Sequence, residues 1–489
     1  MSHVDVSGVR VATGHFIDNR RELSRRTFEV RSPIDGVSVG RFAAGDQGSV
    51  DHAVGAAKRA FPEWAALGPQ RRGRYLRALA DLIEKNSESL ALIETVNNGS
   101  LLEAGRMRVM KRSAHNIRFF ADLAERLQGA EWQTEAANAS NRVSYDPAGV
   151  AALITPWNAP LMLATWKVGP ALAAGNTVVL KPAEWTPLTA SMLSDYALEA
   201  GLPSGVFNVV QGVGEEAGAA LVAHPDVARI SFTGSTETAR LIGRAAAANL
   251  TPVSFELGGK SALIVFADAH LDLALKNAIG QYDNAGQVCL AGTRLLVDSS
   301  IYPVFLDKMK AEASRIILGD PRDPQTQVGP LITTEHLRRV QGFVDRAVRD
   351  GATLVYGGRV SPRLGGLYFE PTLFADPPDG AEIVQKEVFG PVLTIHPFRD
   401  EAEAIRLANS TNYGLAATLF TQDERKADRV AQALVAGTVW INCFFVRDLA
   451  APFGGSRQSG IGREGGHWSF DFYCDVKNVV KRNRTFAKT

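Results

Sequence analysis

The sequence predicts an α/β protein built on parallel sheets and divided into several domains, and three observations carry that expectation. From residue 148 onward, short β-branched runs alternate with helical patterns, as strands joined by crossover helices require. Before that point, three long stretches place apolar residues at three- and four-residue spacing, the mark of amphipathic helices. Finally, 489 residues exceed what one hydrophobic core organises, so at about 150 residues per domain two to four units are expected.

Taken in chain order, the helical opening comprises SVDHAVGAAKRAFPEWA, RRGRYLRALADLIEKNSESLALIETVNNG and RMRVMKRSAHNIRFFADLAERL. GVAALITPWN then reads as a strand running into a turn, and VGPALAAG as a helix closed by Gly175. NTVVLKP is a strand, TPLTASMLSDYALEAG a helix and VFNVVQG a strand; GEEAGAALVAH is helical and ARISFTG a strand. STETARLIGRAAAAN is a helix whose first residue, Ser235, carries a hydroxyl able to cap free amides. SFELGG leads into SALIVFAD and a second βα series that runs to about residue 440.

Composition narrows the function. A formal net charge of +1, with 45% hydrophobic and 21% charged residues, describes a globular chain with no electrostatic bias toward nucleic acid or anionic membrane. The N-terminus is charged where a signal peptide needs an apolar run, and no apolar run elsewhere reaches the ~18 residues of a membrane span. Three cysteines without a CxxC pair suit a reducing cytoplasm. Nine histidines, with no HExxH, suggest no metal site.

GQVCLAGTR sets Cys289 among small and apolar neighbours, and a cysteine taken at random is more often packing than reagent. Two nucleotide motifs fail on spacing. GGKS lacks the P-loop glycine, because Ser254 stands where it is needed, and GVGEEAG puts three residues in the gap where GxGxxG allows two. FTGST is a better phosphate site, since Gly234 permits close approach and Ser235 opens a helix; capping alone is the plainer reading. KPAE places Lys181 and Glu184 at a strand end. A carboxylate there accepts from ribose hydroxyls and repels a 2′-phosphate, which favours NAD over NADP.

ITPWNAP, WKVGPALAAGNTVVLKPAEWTP, FTGST, FELGGK, GQVCLAGTR, EVFGPV and PFGGSRQSGIGREGG stand in the order and spacing of the aldehyde dehydrogenase superfamily, which the chain resembles over nearly its whole length. The resemblance implies a nucleophile at Cys289, an oxyanion-hole amide at Asn158, a water-activating carboxylate at Glu256 and a proton-handling lysine at Lys167. A thiolate adding to an aldehyde makes the tetrahedral carbon that can release hydride, and the thioester left behind hydrolyses readily. Members that pass the acyl group to coenzyme A characteristically lack the glutamate, so Glu256 implies a free acid as product. The match also implies a cofactor lining of Ile154, Thr155, Trp157, Lys181, Glu184, Gly214, Gly218, Phe232, Gly234, Ser235, Leu257, Glu387 and Phe389. Cys443 and Cys474 match no reactive position, and packing explains both.

NCFFVRDLAAPFGG and the segments after it look most like the branch acting on 2-hydroxymuconic semialdehyde and related dicarboxylate semialdehydes of aromatic-ring degradation. That likeness implies that Arg112 and Arg447 grip a remote carboxylate, a task suited to a planar guanidinium. The chain departs from the branch at Ala450 and Ala451, where arginine and threonine are expected, and at Lys111, where proline is. Alternatives are an uncharged aromatic or aliphatic aldehyde, a non-redox acyltransferase or esterase, and a silent binding protein on the same scaffold.

The expected organisation is an NAD-binding domain (1–126 and 148–257), a catalytic domain (258–458), and a small β oligomerisation element with the C-terminal tail (127–147 and 459–489). Both larger domains are expected to be Rossmann-like, and the assembly a homodimer or homotetramer.

Overall fold

Residues Val150–Ile154 form a strand buried at every position, as a run of small and apolar residues must when both sheet faces are covered. The computed structural model describes residues 2–483 and places this strand inside an eight-stranded sheet. Strands Val227–Thr233 and Thr177–Lys181 flank it in parallel register. Val253–Glu256 lies outside the first and Phe207–Val209 outside the second. The chain thus runs from 150 through 177 to 207 in one direction, then returns to 227 on the other side of its starting strand. That reversal opens a crevice beyond the carboxyl ends of the 150–154 and 227–233 strands.

A second, seven-stranded sheet has Ala262–Val265 near its centre, parallel to both Arg294–Asp298 and Ala416–Phe420. A third, antiparallel sheet joins Glu131–Thr134, Ala139–Pro147 and the C-terminal Cys474–Arg482. Between residues 459 and 473 the chain belongs with the first sheet rather than with a tail: Gly460–Ile461 pairs with Val253–Glu256, and the helix Gly466–Tyr473 packs on Pro160–Ala174. Residues 484–489 of the expected tail lie outside the described residues, as does Met1.

The helical opening holds from residue 47 onward, but six short strands precede it between His3 and Ala43. None exceeds six residues, which leaves too little length for alternation to register. The long second pattern is two helices, Gly68–Lys85 and Ser87–Asn98, separated by Asn86 at φ −102° and ψ 18°. Apolar spacing continues across this break because both helices present a buried face. Gly175, at φ +103°, does close a helix, though one that begins at Pro160 and is buried along nearly its whole length. GEEAGAALVAH starts as a π turn, Gly214–Gly218, before its short helix. No described helix is long and apolar enough to cross a membrane.

Candidate active site

The loop before Cys289 is held in an unusual conformation. Asn284, Ala285 and Gly286 adopt left-handed backbone angles in succession, with φ of 52°, 54° and 68°. Gly286 is required there, because a Cβ would stand 2.1 Å from the Gly390 carbonyl oxygen. Gln287, fully buried, secures the turn. Its Nε2 donates to the Asn284 carbonyl at 2.9 Å, and its Oε1 accepts from the Ile332 amide at 3.0 Å.

Asn158 reaches this loop from the far sheet, just past the 150–154 strand. Its Nδ2 donates to the Gln287 carbonyl at 2.9 Å, which uses one of two amide hydrogens and leaves the other for a ligand. Its own carbonyl accepts from Asn284 Nδ2 at 3.2 Å and Asn98 Nδ2 at 3.4 Å. Further back, buried Glu94 accepts from the Leu161 amide at 3.0 Å and so anchors the first turn of the 160–174 helix.

Glu256 ends the 253–256 strand and is buried, and among the described residues neither carboxylate oxygen is hydrogen-bonded. Burial, reinforced by the nearby Glu464 carboxylate, holds its pKa well above the ordinary value, while Lys167 and Arg447 pull the other way. Gly454 makes room for it, because a Cβ there would stand 2.8 Å from Glu256 Oε1. Burial pushes the partly buried Cys289 thiol up to about 12, aided by Glu387 and Glu256 and opposed by Arg447. Lys167, on the 160–174 helix, donates to Glu464 Oε1 at 2.7 Å and to Ser231 Oγ at 2.8 Å in a buried cluster.

At the crevice, Ile154 and Thr155 lie at the end of one strand and Lys181 at the end of the next; Lys181 Nζ stands 3.2 Å from Glu184 Oε2. Ser235 caps the helix Thr236–Ala248 by accepting from the Thr238 amide at 3.1 Å, so its hydroxyl is already committed and its helix offers backbone amides. Phe232 and Gly234 lie against one another, a Cβ at 234 meeting the Phe232 ring at 2.4 Å, while Gly218 faces the Lys181 stem and Leu257 is buried. Gly214, at the start of its π turn, has open space around it. Glu387 Oε1 accepts from the Gly259 amide at 3.0 Å, and burial raises its pKa to about 7. Phe389 and Trp157 meet edge to face at 5.3 Å.

Arg112 and Arg447 share one aromatic platform. Their guanidinium carbons lie 5.9 and 5.1 Å from the Trp166 ring centre, and that of Arg447 lies 3.7 Å from Phe453. Arg447 makes no hydrogen bond among the described residues, and its buried Nη2 has no partner. Burial, aided by Arg112, lowers its pKa to about 10. Cys474 is buried and Cys443 partly so, both packed at the first core.

Sequence reasoning singled out Asn158, Cys289, Glu256 and Lys167 but missed Glu464, Gln287 and Asn98. Glu464 lies inside the quoted GREGG run, yet its partner Lys167 is 297 residues away, so no local signal joins them. Among the described residues, no group of three or more histidine, cysteine or acidic side chains is placed to hold a metal.

Comparisons with known proteins place the chain in a family. Residues 20–479 match the aldehyde dehydrogenase family. The chain is 44% identical over 477 residues to 2-hydroxymuconic semialdehyde dehydrogenase of Pseudomonas sp. (strain CF600), covering 95% of this chain and 98% of that one. It is 42% identical over 462 residues to 5-carboxymethyl-2-hydroxymuconate semialdehyde dehydrogenase of Escherichia coli, covering 93% and 98%. Betaine aldehyde dehydrogenase from Staphylococcus aureus, solved in complex with NAD+, superposes with a TM-score of 0.94 at 38% identity, covering 98% of this chain and 97% of that one. On these matches, the chain belongs to the aldehyde dehydrogenase family and is an NAD-dependent oxidoreductase acting on aldehydes.

Proposed function

We propose that this enzyme oxidises a semialdehyde bearing a remote carboxylate, such as 2-hydroxymuconic semialdehyde from aromatic-ring degradation, to the corresponding acid. The observation that carries the reading is the Arg112–Arg447 pair: two half-buried cations on one tryptophan, one of them with a buried Nη2 that has no partner among the described residues. A buried donor without an acceptor is costly, and a carboxylate ligand gripped by both guanidiniums relieves that cost. Two relatives whose names specify muconate-type semialdehydes support the same class.

The residues divide the chemistry among them. Cys289, once deprotonated, adds to the aldehyde carbon, and the free hydrogen of Asn158 Nδ2 meets the developing oxyanion. NAD, when bound, accepts the hydride. Its site fits the residues present: Lys181 and Glu184 suit the adenine ribose, the amides at the start of the 236–248 helix the pyrophosphate, and Glu387 the second ribose. Trp157 and Phe389 wall the ring side, with Ile154, Thr155, Gly214, Gly218, Phe232, Gly234 and Leu257 completing the lining. Glu256, unpartnered and basic for a carboxylate, then takes a proton from the water that hydrolyses the thioester. Glu464 and Lys167, an ion pair whose two charges act on Glu256 in opposite directions, tune that base.

We read the eight-stranded sheet as the cofactor-binding domain and the seven-stranded sheet as the catalytic domain. The exposed valines of the Cys474–Arg482 edge strand, Val476, Val479 and Val480, support a homodimer or homotetramer. Three free cysteines are in keeping with a reducing cytoplasm.

Steady-state rates for a carboxylated semialdehyde and its uncharged analogue, in the wild type and in Arg112→Ala and Arg447→Ala, test the substrate. The preference for the carboxylated aldehyde collapses in both variants if the clamp is real. Equal discrimination in all three proteins overturns it and favours an uncharged aromatic or aliphatic aldehyde.

A further inference from the structure

We propose that Asn116 is a specificity-determining positioning residue, whose buried carboxamide orients Arg112 toward the substrate's remote carboxylate. The inference rests on the carboxylate-clamp reading of Arg112 and Arg447.

Asn116 lies one turn after Arg112 on the helix Met110–Arg126 and is almost fully buried. Its Oδ1 accepts from Arg112 Nε at 3.0 Å. Its Nδ2 donates to the Met162 carbonyl at 3.0 Å and to Thr165 Oγ1 at 3.2 Å, both on the 160–174 helix. Thr165 spends its own hydroxyl hydrogen on the Met162 carbonyl at 3.0 Å, so toward Asn116 it must accept. That requirement fixes the amide orientation: nitrogen faces the 160–174 helix and oxygen faces Arg112.

The consequence for Arg112 is geometric. With Nε held, the guanidinium plane is set and the two Nη groups, which make no hydrogen bond among the described residues, keep a defined direction. Arg447 has no comparable partner and is positioned by ring faces alone. The anchor is also rigid. The two helices approach so closely at Gly169 that an added Cβ would stand 3.3 Å from the Asn116 backbone oxygen. The same 160–174 helix carries Trp166, which both guanidiniums touch, and follows directly on Asn158. Arg112's place relative to Asn158 is therefore set along one helix, and Asn116 ties Arg112 to that ruler.

The test is the ratio of kcat/KM for a carboxylated semialdehyde to that for its uncharged analogue. Asn116→Leu, close to asparagine in size, lowers this ratio about tenfold, as expected for a lost orienting hydrogen bond to a charged group, and the loss lies mainly in KM for the carboxylated aldehyde. In an Arg112→Ala background the same substitution lowers the ratio no further. Arg112→Lys is a second test that leaves the core untouched: lysine keeps the charge but lacks the Nε–H that Asn116 accepts, so it loses nearly as much discrimination as Arg112→Ala. Full discrimination in Arg112→Lys, or an equal loss for both aldehydes in Asn116→Leu, overturns the proposal for Asn116 while leaving the clamp standing. Unchanged discrimination in Arg112→Ala instead removes the clamp, and the role of Asn116 with it.

Discussion

Asn158 Nδ2 and the Gln287 carbonyl stand 2.9 Å apart, joining the amide at the end of one sheet to the nucleophile loop beside the other. The bond ties the Asn158 side chain to the loop that carries Cys289, so the oxyanion donor we propose is oriented before any substrate arrives, as electrostatic preorganisation requires.

Asn158→Ala removes that donor and the tether together. The expected result is a fall in kcat of about 10²–10³, equivalent to about 2.7–4 kcal/mol of transition-state stabilisation, seen in steady-state NADH formation. A change confined to KM contradicts the oxyanion role.

Glu256 is neutral below its raised pKa and charged only above it, so with Glu256 as the proposed base thioester hydrolysis should strengthen as pH rises. Glu256→Gln should release one equivalent of NADH per active site in a stopped-flow burst and then stall. A steady-state rate equal to that of the wild type contradicts the assignment.

The Cys289 thiol, pushed up to about 12, is mostly protonated at neutral pH in the cofactor-free enzyme. Iodoacetamide should alkylate it with a rate that climbs about tenfold per pH unit between 7 and 9 without a plateau, as thiolate-limited labelling requires. Arg447→Ala, which removes a cation favouring the thiolate, should slow labelling at every pH. A plateau below pH 8 counts against this account.

Gly258 leaves space that Glu387 occupies, since a Cβ there would lie 2.1 Å from Glu387 Oε2. Gly258→Ala should displace the carboxylate and raise KM for NAD about tenfold or more, the loss expected when a hydrogen bond donated to a charged group is forfeited. Titration with NAD at saturating aldehyde measures it, and an unchanged KM argues against a cofactor role for Glu387.

Lys167 and Glu464 form a buried ion pair 2.7 Å apart. Lys167→Met leaves the carboxylate buried without its cation, which should cost about 3–5 kcal/mol, read as a lowered thermal midpoint; Lys167→Met combined with Glu464→Leu should recover much of it. Equal melting of the wild type and Lys167→Met shows the pair to be dispensable.

The sequence by itself determined the kinds of element and which family the chain belongs to. The Val150–Ile154 strand, the Ser235 cap and the Gly175 stop follow from patterns only a few residues long, whereas Cys289 and Glu256 stand out only through seven ordered motifs spread along the chain. The early strands escaped because three to six residues cannot establish a period. Tertiary structure alone decided which reagents meet. Asn158 and Gln287 are 129 residues apart, Lys167 and Glu464 are 297 apart, and Arg112 finds Arg447 only across the Trp166 ring. Helix and strand preferences act between near neighbours, whereas these encounters are settled by how two sheets and the buried 160–174 helix pack, and such packing leaves no periodic trace in the chain.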